Sequence, residues 1–70
     1  MTPSDVRRRV ARLRGMTGDN EAFHSEEDKL YLDVLTAIAQ GEMAQNQDAR
    51  DMARAAIRTR AIKGVDRWCA

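Results

Sequence analysis

Seventy residues, 43% of them hydrophobic and 33% charged, describe one small domain at most. A net charge of +1 argues against a strong whole-molecule field for nucleic acid or membrane. Cys69 is the only cysteine and His24 the only histidine, which excludes an internal disulfide and a tetrahedral zinc set.

A chain this short buries only about 60% of the surface its unfolded form exposes, and its core supplies roughly 3–5 kcal/mol. With no disulfide or zinc to add stability, self-association or docking on another protein is the remaining route. The N-terminus has no apolar run of signal-peptide type, which predicts a chain without one. No stretch reaches the ~18 apolar residues of a transmembrane helix. The unpaired Cys69 fits a reducing cytoplasm.

The pattern predicts an all-α fold, a small three-helix domain over residues 1–70 with a short C-terminal tail. The first helix is expected at about 3–14. Thr2 is its N-cap, Pro3 occupies the first helical position and Asp5 puts a negative charge at the positive helix end. Val6, Val10 and Leu13 make a narrow apolar stripe among five arginines.

Gly15, Thr17, Gly18, Asp19 and Asn20 read as a connector. Phe23, just beyond them, is placed to staple the entry of the second helix. That helix is expected at about 26–40, with Ser25 as N-cap and Glu26, Glu27 and Asp28 in the first turn. Leu30, Val34, Ala37 and Ile38 share its apolar face, which Tyr31 and Leu35 widen; Gly41 ends it.

The third helix is expected at about 47–62, capped by Asn46. Ala49, Met52, Ala53, Ala56, Ile57 and Ala61 form its buried stripe, and Gly64 stops it. A short tail, 66–70, carries Trp68. With Phe23 and Tyr31 it is one of three aromatics, each of which has a core reading; an exposed Trp68 beside a methionine would instead mark a contact surface.

Charge is ordered along the chain. Residues 1–18 hold five arginines and one acid, residues 19–48 eight acids and one lysine, and residues 49–70 six bases and two acids. One reading is structural: an acidic middle helix packs between two basic ones, with rim charges pairing across the seams. The other is functional. Arg50, Arg54 and Arg58, at i, i+4 and i+8, share one side of the third helix, and Arg7, Arg8 and Arg14 extend the patch. Such a surface could follow a phosphate backbone or meet an acidic protein. The candidate binding surface is therefore Arg50, Arg54, Arg58, Arg7, Arg8 and Trp68.

No catalytic residue, cofactor site or metal site emerges. His24, Glu27 and Asp28 would align as a metal or acid–base set if all three were helical. With Ser25 as N-cap, His24 falls outside the helix and the set is broken. No nucleophile–base spacing, phosphate loop or nucleotide fingerprint is present.

Three stretches carry a resemblance: His24-Ser25-Glu26-Glu27-Asp28, Leu35-Thr36-Ala37-Ile38-Ala39-Gln40-Gly41 and Asp66-Arg67-Trp68-Cys69-Ala70. The chain resembles, over residues 6–70, small uncharacterised helical proteins of actinobacteria and their phages. The resemblance transfers no activity or functional residue. It implies a setting, the cytoplasm of the bacterial host, and a partner that is a host protein. The leading expectation is a non-enzymatic helical protein that binds another protein or itself. The alternative is a nucleic-acid-binding module using the arginines of helices one and three.

Overall fold

A computed structural model describes residues 1–42 and 46–65. Among these residues there are three α-helices and no strand: α1 (Pro3–Arg14), α2 (Asn20–Ala39) and α3 (Asn46–Ile57), followed by a 3₁₀ turn (Arg58–Ala61). The fold is all-α. Trp68 and the rest of the 66–70 tail lie outside the described residues.

Helix α1 starts on a complete capping box. The Thr2 hydroxyl accepts from the Asp5 N–H at 3.2 Å, and the Asp5 carboxylate accepts from the Thr2 N–H at 2.9 Å. Two orphan donors are thereby satisfied at the end where Pro3 needs none.

Helix α2 begins six residues earlier than the Ser25 cap predicts. Asp19 is the N-cap, in extended conformation, its carboxylate accepting from the Ala22 N–H at 3.0 Å. Ser25 is an exposed residue within the helix. The early start turns Phe23 inward, so it is a fully buried core residue rather than a staple at the helix entry. At its other end α2 closes in a Schellman motif. Gly41 adopts φ +69°, the Glu42 N–H donates to the Ala37 carbonyl, and the Gly41 N–H donates to that of Ile38.

Helix α3 is shorter than expected. Its regular part ends at Ile57 and the chain tightens into the 3₁₀ turn through Ala61. Ile57 and Ala61 are exposed instead of lying in the buried stripe. The core takes Val6, Val10 and Leu13 from α1, Phe23, Leu30, Val34 and Ala37 from α2, and Met52, Ala55 and Ala56 from α3; Ile62 closes it.

The most extensive seam joins α1 to α3. Small Ala55, buried there, lets the two backbones approach. The acidic helix thus does not separate the two basic ones: they adjoin. Only one ion pair among the described residues crosses from α1 to α2, Arg9 to Asp33 at 2.8 Å. The Arg8–Asp5 pair stays within α1.

Candidate functional site

The packing divides the expected arginine patch. Successive i, i+4 steps drift about 40° around an α-helix, which offsets Arg54 from Arg50, and Arg58 lies beyond α3 in the 3₁₀ turn. Arg54 and Arg58 border the α1–α3 seam, where Arg7 and Arg14 border it from the other side. One part of this shallow cleft, about 180 Å³, is lined by Arg7, Val10, Ala11, Arg14, Ala55 and Arg58. The other, about 270 Å³, shares Arg7, Ala55 and Arg58 and adds Arg54 and Asp51. Arg50 is exposed and lines neither part. Arg8 is engaged by Asp5 and Trp68 lies outside the described residues.

Of the cleft arginines, Arg7 donates to the Ser4 hydroxyl at 3.2 Å. Among the described residues no ion pair holds Arg7, Arg14, Arg54 or Arg58. Four guanidinium groups therefore line one trough against a single carboxylate, Asp51.

A second feature lies between α2 and α3. Tyr31, Val34, Leu35 and Ile38 form one wall of an apolar groove of about 350 Å³; Ala53, Ala56 and Ile57 form the other. Among the described residues the exposed large hydrophobics are Leu32 (64% exposed), Leu35 (65%) and Ile57 (63%), and two of them line this groove. Helical periodicity marks Leu35 and Ile57 as apolar-face residues, but it does not say whether that face meets the core or solvent.

A third feature is a line of hydroxyl and carboxyl groups tying α2 to the 3₁₀ turn. Glu27 and Thr59 are both buried. The Tyr31 hydroxyl bonds that of Thr59 and donates to Glu27 Oε2 at 3.4 Å. Its one proton is then committed, so the Thr59 hydroxyl is the donor to Tyr31. His24 Nδ1 stands 3.9 Å from Glu27 Oε1. The true start of α2 thus restores the helical alignment of His24 and Glu27 that a Ser25 cap would break. Asp28 is exposed, and no group of three or more His, Cys, Asp or Glu among the described residues is placed to hold a metal. The sequence places Glu27 in the first turn of the helix and assigns it no part in the core. The one available signal for its burial was i, i+4 spacing to Tyr31, a residue already assigned to the apolar face.

No helix among the described residues is long and apolar enough to cross a membrane. In comparisons with protein-family models, curated proteins and solved structures, nothing matches this chain.

Proposed function

We propose that this chain is a small non-enzymatic helical protein that acts by protein–protein binding, with a second copy of itself as the occupant of the α2–α3 groove. The observation that carries this reading is the pair Leu35 and Ile57, both about two-thirds exposed on the walls of one apolar groove. Exposed apolar patches of this kind mark association surfaces, and a core limited to roughly 3–5 kcal/mol benefits directly from association.

Charge at the groove ends favours a second copy. Asp28 lies two turns before Leu35 on the same side of α2, and Arg50 lies two turns before Ile57 on the same side of α3. The helices run antiparallel, as the Tyr31–Thr59 bond shows, so Asp28 and Arg50 mark opposite ends of the groove. A two-fold axis normal to the groove reverses it, setting each Asp28 against the second copy's Arg50. This self-complementarity is what an isologous interface requires. The resemblance to actinobacterial and phage proteins supports the bacterial cytoplasm as the setting.

Sedimentation equilibrium tests the reading. The unmodified chain is expected to dimerise at micromolar concentration, and Leu35→Lys with Ile57→Lys to be monomeric with an unchanged circular dichroism spectrum. A chain that stays monomeric at all concentrations overturns it.

A further inference from the structure

We infer that the α1–α3 cleft is a binding site for the phosphodiester backbone of a nucleic acid, read without regard to sequence. The cleft draws Arg7 and Arg14 from α1, Arg54 from α3 and Arg58 from the 3₁₀ turn. Arg7 and Arg14 are two helical turns apart, about 10.5 Å of rise, and Arg54 and Arg58 about one turn. The guanidinium groups thus form a track along the seam rather than a single point of charge. Ala55, Val10 and Ala11 floor it, so an anion can approach without a bulky side chain intervening.

Phosphate is favoured over an acidic protein surface by what the lining lacks. Protein partners anchor in pockets that fill with large apolar or aromatic groups, and among the described residues the apolar lining of this trough is Val10, Ala11 and Ala55. Guanidinium forks match phosphate oxygens in bidentate geometry. Among the described residues no aromatic side chain lines the cleft, so what they offer a nucleic acid is backbone contact rather than a base-stacking platform. Low net charge does not oppose this, because five of the eleven acids lie on α2 and, among the described residues, Asp51 alone of the acids lines the cleft. The site is separate from the apolar groove, so each reading can fail without the other.

Fluorescence anisotropy with labelled DNA and RNA oligonucleotides at about 50 and 200 mM salt tests it, with poly-glutamate as competitor. Binding is expected at low salt for oligonucleotides of unrelated sequence. Arg7→Gln with Arg58→Gln should weaken it at least tenfold and flatten the salt dependence by nearly two in log–log slope. Arg12→Gln with Arg60→Gln removes the same charge outside the cleft and should change affinity less than threefold. Asp51→Asn should tighten binding. Equal loss in the two arginine pairs overturns the site; so does the absence of binding at 50 mM salt. Poly-glutamate competing as well as nucleic acid per charge overturns the phosphate assignment in favour of an acidic protein.

Discussion

Leu35 on α2 and Ile57 on α3 stand on opposite walls of one groove, although Val34 and Ala56, their immediate neighbours in sequence, are buried in the core. The two helices thus spend one side on the bundle and keep a second apolar side open. In a bundle this small, the remaining helix, α1, can cover only one side of the α2–α3 pair; it has α3 as its main neighbour and contributes no residue to the groove.

Among the described residues Phe23 is the largest fully buried side chain, and it enters the core from the first turn of α2. Its truncation leaves a cavity among residues of all three helices. Phe23→Ala is expected to cost about 3–5 kcal/mol, comparable to the whole stability of such a domain. The variant should lack a cooperative thermal transition by circular dichroism at room temperature and above. A loss below about 1 kcal/mol would contradict the buried position.

Phe23 also shows how far the fold was legible. Caps are local chemistry: Thr2, Pro3 and Asp5 specify the start of α1 within four residues, and Gly41 specifies the end of α2. The start of α2 was misplaced because Ser25, followed by three acids, makes a strong local cap signal, while Asp19, the actual N-cap, reads as part of the connector. The earlier start brings Phe23 into the helix and the core, and burial is a tertiary quantity. The same holds for the arginines. Their spacing could be read from sequence, but the direct contact of α1 with α3, which gathers Arg7, Arg14, Arg54 and Arg58 and leaves Arg50 elsewhere, could not.

The hydroxyl line from Thr59 through Tyr31 to Glu27 fixes the 3₁₀ turn to α2. Tyr31→Phe keeps the ring and removes two part-buried hydrogen bonds, leaving the buried Glu27 and Thr59 without them. The expected cost is about 1–3 kcal/mol in chemical denaturation, with faster amide exchange in the turn over 58–61. Unchanged exchange there would show that the turn is held by other contacts.

Asp5 gives a pH dependence with a definite sign. The Thr2 N–H and hydroxyl, helped by the Arg8 guanidinium, hold its carboxyl below its ordinary value of 3.8. A group depressed on folding stabilises above its unfolded value and loses that contribution as pH falls through the folded one. The stability gap between the unmodified chain and Asp5→Ala is therefore expected to be constant from pH 5 to 7 and to shrink below 3.8. Thermal melts across that range measure it. A gap that persists unchanged to pH 2 would contradict the capping-box assignment.

Charge reversal at the groove ends tests the central claim, self-association through the α2–α3 groove, most directly. Asp28→Arg and Arg50→Asp each create two like-charge contacts per dimer, and each is expected to weaken dimerisation about tenfold. Mixed together, the two single variants should form a heterodimer in which both ends are again complementary, and the double variant should recover self-association. Sedimentation equilibrium of the singles, their mixture and the double variant reads all of this in one series. Weakened singles with recovery in the mixture and the double variant are the predicted result; no recovery in either would contradict the two-fold arrangement.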